Sequence, residues 1–589
     1  METYPQTRWN LSALLEAPSG EPLERALQDI EARTARLEAA RPKLTPEIDA
    51  EQFLALLKEL EDLHRAVRKV SAYGDLWFTE DTQNQNALAF MNKMEQLATN
   101  VSNRILFFTL WWKDLDDANA ARLLRRAGDY TYFLQLERLF KPHTLKENEE
   151  QIINIKDVNG MGGLMTVYEM ITNKYMFTLT VNGQTKTMTR DELATYFRHP
   201  DPAVREAAYA ELYRVFADDG AVLAQIYANR VNDWKAEQVE LRHFQTPISA
   251  RNLANDIPDA AVDTLLDVAR QNAVVFQRYF KLKAKWLGLA PMRRTDVYAP
   301  LAAAEVDVPW AEGLALVFDS FEKFSPVVAQ EARSAFEAGH VDGEIRPGKR
   351  GGAFCAGILP ELPPYVMLNY SGKARDVSTV AHELGHAVHA RLAKEHSVFT
   401  FHSALPMAET ASVFSEMILN ERLLNENSDP AFKRDILSRM VDDAYATVMR
   451  QAFFAMFEKA AHDAIANGAN TGEVCNLYVE NLKTQFGDAV EIQDYFKWEW
   501  VSIPHIYQTP FYVYAYSFGQ LLTLALYQRY RAEGESFKPK FLKILAYGGS
   551  ASPQHILQEA GIDITSAAFW QGGFDVISGF IDQLEQLEQ

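Results

Sequence analysis

Residues 382–386 read His382-Glu-Leu-Gly-His386, within the stretch from Val377 to Lys394, Val-Ser-Thr-Val-Ala-His-Glu-Leu-Gly-His-Ala-Val-His-Ala-Arg-Leu-Ala-Lys. The stretch contains no proline and only Gly385 as a weak point, and Asp376 stands where a helix N-cap would be, so it predicts one helix. Residues four apart on a helix project from the same face. His382 and His386 can therefore reach one metal ion without bending the backbone. Glu383 follows the first histidine, where its carboxylate can reach a water at that metal and act as general base. The pattern places a zinc-type hydrolytic centre on a helix and makes a helical frame the expectation for the fold.

A catalytic zinc takes three protein ligands and keeps a fourth position open. A third histidine six residues after His386 would fall at Leu392, so the remaining ligand must come from elsewhere. Pro406 to Met417 reads as a second helix, with Met407, Thr410, Ala411 and Phe414 near its apolar side. Glu409 lies 23 residues beyond His386, room enough for the first helix to end and the second to pack back against it. A carboxylate among apolar neighbours calls for a partner or a metal, although an ordinary solvated glutamate is the competing reading. Glu416, seven residues further on, can accept the Nδ1–H of a ligating histidine. His389 shares the face of His382 and His386. A fourth ligand would close the site, so it reads as a neighbour or a substrate contact.

The segment His505-Ile-Tyr-Gln-Thr-Pro-Phe-Tyr-Val-Tyr-Ala-Tyr-Ser-Phe-Gly519 gathers tyrosines beside a histidine. Amide hydrolysis builds negative charge on the carbonyl oxygen, which a tyrosine O–H or a histidine N–H can stabilise. Core packing is the stronger reading for any one tyrosine; the cluster as a whole is expected to supply a donor. Tyr365 to Tyr370, bounded by Pro363-Pro364 and Ser371-Gly372, has strand character. As an edge strand it would pair with an extended peptide, and as a buried strand it would be structural.

The segments HELGHAVH (382–389), AETASVFSE (408–416), HIYQTPFYVYAYSFG (505–519), YGGSASP (547–553) and AGIDI (560–564) together resemble the thimet oligopeptidase and oligoendopeptidase F family of zinc peptidases. The match is looser earlier in the chain, through WNL at 9–11 and a hairpin near 176–189, and chain length favours the oligoendopeptidase F branch. The resemblance implies His382, His386 and Glu409 as ligands of one Zn²⁺ per chain, with Glu383 as general base. It implies His505 and Tyr514 as substrate-orienting groups, and Tyr512 or Tyr516 as a second catalytic tyrosine. It further implies a mainly α, two-lobed, zincin-type fold with a small β-sheet near the zinc helix and an enclosed channel that admits only oligopeptides. Two rival readings stand beside this one. A zinc carboxypeptidase would grip the terminal carboxylate with a cation such as Lys349 or Arg350. A non-catalytic peptide-binding protein would carry a purely structural zinc, although such sites are usually closed by four, often cysteine, ligands.

Composition sets the wider limits. With 589 residues, 48% apolar and 23% charged, the chain reads as ordinary globular protein with more than one core. A formal charge of −20 argues against nonspecific binding to nucleic acid or to an anionic membrane. Cys355 and Cys475 are too few for a disulfide framework. The opening METYPQTRWN has no signal pattern, and the apolar run Ile105 to Trp112 is too short to span a bilayer, so cytoplasmic residence is expected. Amphipathic periodicity predicts helices over Glu21 to Ala40, Pro46 to Tyr73 and Thr82 to Leu115, and Pro202 and Pro258 mark further helix starts. Asn182-Gly183 predicts a hairpin turn. On that reading an N-terminal helical domain, 1–190, ends in the hairpin, and 191–589 is the catalytic domain. Asn159-Gly-Met-Gly-Gly163 lacks the Lys-Ser/Thr of a phosphate loop and reads as a turn.

Overall fold

The computed structural model describes residues 4–301 and 307–588, which are mostly helical with small sheets of two or three strands. Two compact units form, each assembled from separated stretches. The first comprises Met1–Lys141, Glu305–Glu426 and Arg529–Ile562; the second comprises Pro142–Ala304, Asn427–Gln528 and Asp563–Gln589. Among the described residues no helix is long and apolar enough to cross a membrane.

The first unit opens with the helix Glu21–Ala40, as periodicity predicts, burying Leu23, Ile30 and Leu37. The next helix is Ala50–Glu80, shifted from the expected Pro46–Tyr73. Asp49 caps it by accepting from the Glu51 and Gln52 N–H groups, which leaves Pro46 outside. It runs past Tyr73, and Gly74 on that added stretch lets a neighbouring helix come close. A Cβ would sit 3.1 Å from Met91 Cα of the third helix, Gln85–Asp114. Phe53, Leu57, Met94, Phe108 and Trp112 fill the core that these helices share.

Around the metal helix, Ala374–Leu392, pack the helices Trp310–Phe324, Pro326–Glu337 and Thr410–Glu426. A three-stranded sheet lies beside it. Tyr365–Met367 is the central strand, parallel to Val341–Asp342 and antiparallel to Phe354–Ala356. All three of its residues are buried. Of the two readings open for that run, the buried structural strand is the one observed, and the edge strand is Phe354–Ala356. Lys349 is buried behind the sheet. Its Nζ donates to Asp342 Oδ1 at 2.7 Å and to the carbonyls of Asp342, Glu344 and Leu368.

The second unit carries the predicted hairpin, Phe177–Val181 paired with Gln184–Met188. Asn182 (φ 53°) and Gly183 (φ 75°) make the two-residue turn with both central residues in the left-handed region. The Gly-rich stretch at 159–163 narrows to a single break at Gly160 between the helices Glu147–Asn159 and Met161–Asn173. Pro202 is the first residue of the helix Pro202–Asp218, and Pro258 caps Asp259–Gln271.

Candidate active site

The metal helix begins at Ala374 with Lys373 as its N-cap. Asp376 is therefore one turn inside the helix and not the cap itself. Its Oδ2 accepts from the backbone N–H groups of Ser371 and Lys373 and from the Ser371 hydroxyl, so it satisfies the helix start from the third helical position. Gly385 decides how close the second helix comes: a Cβ there would lie 2.5 Å from Ser412 Cα and 2.6 Å from Ala411 O. The metal helix and Thr410–Glu426 thus touch backbone to backbone, between the two histidines and Glu409.

His382 Nε2 lies 3.3 Å, and His386 Nε2 3.4 Å, from Glu409 Oε2. One ligand atom from each of the three residues falls within 4.8 Å of the others. Ser412 Oγ donates to Glu409 Oε2 at 2.7 Å, holding the carboxylate from one turn further on. His382 Nδ1 is 2.6 Å from Glu416 Oε1. With its N–H directed at that carboxylate, the ring presents the lone pair of Nε2 to the converging point. Two imidazole nitrogens and one carboxylate oxygen, all partly open, fit a catalytic Zn²⁺ with a free position and not a closed, cysteine-rich structural site.

Electrostatics sharpen the roles. Glu383 is 6% exposed, and its Oε2 has no hydrogen-bond partner. Burial, against the charge of His382 and with that of Glu409 and Glu416, pushes its pKa up to about 7. Burial also works on Glu409, but the His382 hydrogen bond and the charges of both histidines outweigh it and bring the carboxyl to about 2. For His382, burial is outweighed by its bonds to Glu409 and Glu416, which raise it to about 10, so Nε2 would offer its lone pair only to a metal that displaces its proton. His389 stands outside the converging trio. Burial and then His386 push it down to about 4, so it is a neutral ring packed behind the site.

The tyrosine segment lies in the second unit. Its rings do not all face one way. His505 stacks 6.2 Å from Tyr512 and is edge-on to Tyr516 at 6.1 Å, while Tyr512 and Tyr516 are 5.2 Å apart. His505 is exposed and the two tyrosines are half-buried. Tyr514 is fully buried, and its hydroxyl accepts from Asn255 Nδ2 at 2.9 Å. The turn that enters the tyrosine helix, Tyr514–Glu533, has Phe511 at φ 58°, and the Phe511 N–H donates to buried Glu458. Glu458 and Asn255 carry no local sign of this role in the sequence, whereas Ser412 was findable as a hydroxyl one helical turn after Glu409. A further carboxylate group, Asp157, Asp233 and Glu237, is offset by Arg230 and Arg242 and contains no histidine.

Residues 195–576 match the family described as Peptidase family M3. The chain is 28% identical over 551 residues to the group B oligopeptidase PepB of Streptococcus agalactiae, covering 92% of this chain and 91% of that one. It is 25% identical over 549 residues to the chromosomal oligoendopeptidase F of Lactococcus lactis, covering 91% and 90%. Among solved structures, a chain from Chlamydophila abortus superposes with a TM-score of 0.89 at 24% identity and full coverage of both. The oligoendopeptidase-F of Enterococcus faecium does so with a TM-score of 0.72 at 21% identity, covering 96% of this chain and 98% of that one. The mainly helical fold is shared with both.

Proposed function

Because the chain belongs to peptidase family M3 and is therefore a metalloendopeptidase, we propose that it is a zinc oligoendopeptidase whose ligands are His382, His386 and Glu409 and whose general base is Glu383. The carrying observation is the convergence of those three ligand atoms beside a buried carboxylate with one unpaired oxygen. Zinc, when bound, supplies Lewis acidity: it acidifies water and polarises a carbonyl. Glu416 accepts the Nδ1–H of His382 and keeps Nε2 turned to the ligand point. Glu383 Oε2 takes the proton of the attacking water and returns it to the nitrogen of the leaving amine. A carboxyl poised near neutrality suits both transfers.

Strand Phe354–Ala356 pairs on one side with Tyr365–Met367, and among the described residues its other edge is unpaired. That edge offers main-chain donors and acceptors to an extended peptide. His505 and Tyr512, joined by Tyr516, are the groups we assign to holding substrate and oxyanion, with Tyr514 as their buried support. The carboxypeptidase reading loses Lys349 as its gripping cation, since that ammonium is spent on Asp342 and three carbonyls. Oligopeptides in the cytoplasm are the proposed substrates, in keeping with two free thiols.

The test is chelation. The frame around the ligands is set by helix packing, so removing the metal is expected to abolish cleavage while helicity and thermal midpoint change little, and zinc should restore activity. Unfolding on chelation would move the reading to a structural zinc.

A further inference from the structure

Behind the tyrosine segment, the second unit holds a charge arrangement that does not balance. Arg294 and Arg450 both donate to one acceptor, Glu499 Oε1, each at 3.0 Å. Arg294 is 1% exposed and lies between the Phe486 and Phe496 rings at 5.4 and 5.2 Å. Glu499 is equally buried. Two guanidiniums against one carboxylate leave one positive charge over. Arg294 is out of reach of solvent, so Arg450, whose side chain is 30% exposed, is the one of the pair that a ligand can meet. Its Nε is buried without an acceptor, as are Arg294 Nε and Nη1, and its plane rests on Phe454 at 5.0 Å. A planar, stacked guanidinium with donors to spare is suited to bidentate capture of a carboxylate.

Its position gives the spare charge a use. Arg450 is the first residue of the helix Arg450–Ala466, directly after the π-helical turn Tyr445–Met449, a distortion that re-aims a side chain and is common at functional sites. Ser517 Oγ of the tyrosine helix donates to Val448 O at 2.8 Å, which fixes that turn against the segment bearing Tyr512 and Tyr516. The surrounding protein, and after it the Arg450 charge, hold the His505 imidazole below its ordinary pKa.

We propose that Arg450 is a specificity residue that binds a carboxylate of the peptide substrate, with Arg294 neutralising Glu499 behind it. The inference rests on the proposed endopeptidase activity and on the assignment of His505 and Tyr512 to substrate holding, and it adds the ligand chemistry that neither specifies. The carboxylate has two sources, the C-terminus of a short peptide or an acidic side chain.

The experiment compares one cleavable peptide in three forms: free C-terminal acid, C-terminal amide, and the amide with one Gln replaced by Glu. For the wild-type chain, kcat/KM should be about tenfold higher for a carboxylate-bearing form than for the plain amide, the size of one charge-assisted hydrogen bond, and the difference should lie in KM. Recovery by the free acid alone identifies the terminus, and recovery by the Glu form identifies a side chain. Arg450→Met should bring the ratio to about one, and Arg450→Lys should keep part of it. The ratio is taken within one preparation, so a partly unfolded variant does not obscure it. A wild-type ratio near one, or a ratio unchanged in Arg450→Met, overturns the proposal. If the wild-type chain cuts none of the peptides, the endopeptidase reading fails separately. Calorimetric binding of the same peptides then decides for Arg450, with tighter binding of a carboxylate form supporting it and equal binding overturning it.

Discussion

Gly385 and Glu416 show how single residues set the geometry of the proposed metal site. A methyl group at 385 would have to displace backbone atoms of Ser412 and Ala411, which cannot swing aside as a side chain can. Gly385→Ala is expected to cost about 1–3 kcal/mol in stability, as overpacking typically does, and to weaken zinc retention by moving Glu409 away from the histidines. Thermal melts and metal content after dialysis test this; a variant that keeps its zinc and its midpoint would contradict the close approach. Glu416→Ala removes the acceptor that orients His382 and should lower zinc affinity about 10–100-fold with little loss of fold. At this scale the sequence was highly legible where chemistry fixes spacing. Helix geometry sets His382 and His386 on one face, and Glu409, which the sequence left open between a ligand and a solvated glutamate, lies with them in space. It was poorly legible where only packing decides. Tyr512 and Tyr516, four apart, turn to one side, and Tyr514 between them turns into the core, a distinction that residue type cannot make.

The element that places Glu409 is the loop after the metal helix, and its anchors are remote in sequence. Asp129 accepts from the Ser397 N–H and the Thr400 hydroxyl, and Glu61 accepts from the Val398 N–H. Phe399 stacks on Phe133 at 4.4 Å. From the other side Gly549 N donates to Thr400 O at 2.8 Å, and a Cβ on Gly549 would collide with His402 O, which explains the paired glycines of the YGGSASP segment. None of these partners is visible near HELGH in the sequence, because they come from segments more than a hundred residues away. His396 gives the loop a pH dependence. Its Nδ1 faces Asp129 and its Nε2 faces the Ala546 carbonyl, so both nitrogens must donate and the ring is held charged. The Asp129 bond, against partial burial, raises its pKa. A raised folded-state pKa adds stability that is full below the unfolded value of about 6.5 and fades as pH rises through the folded one. Hydrogen exchange over residues 394–402 should therefore quicken from pH 6 to pH 9 beyond the intrinsic rate increase. His396→Gln should remove that excess, and an identical excess in the variant would contradict the assignment.

At the level of the whole chain, the helical class was readable because amphipathic periodicity dominates, and the hairpin because Asn-Gly forces its turn. The grouping in space was not. The chain leaves the first unit after Lys141, returns for Glu305–Glu426 and returns again for Arg529–Ile562, whereas a boundary drawn at a hairpin follows sequence order. Residues that share a compact unit are brought together by buried surface, which no local window records. The central claim is that this molecule cuts internal peptide bonds through Glu383-assisted attack of water. The most direct measurement is mass-spectrometric mapping of products from peptides of ~5 to 30 residues, a range set to bracket what an enclosed pocket can hold, with wild type and Glu383→Gln run in parallel at equal zinc content. The account predicts internal cuts that cease above a length limit, and a fall of at least ~100-fold in kcat for the variant, the scale of general-base loss. Stepwise loss of C-terminal residues, or near-normal turnover by Glu383→Gln, would contradict it.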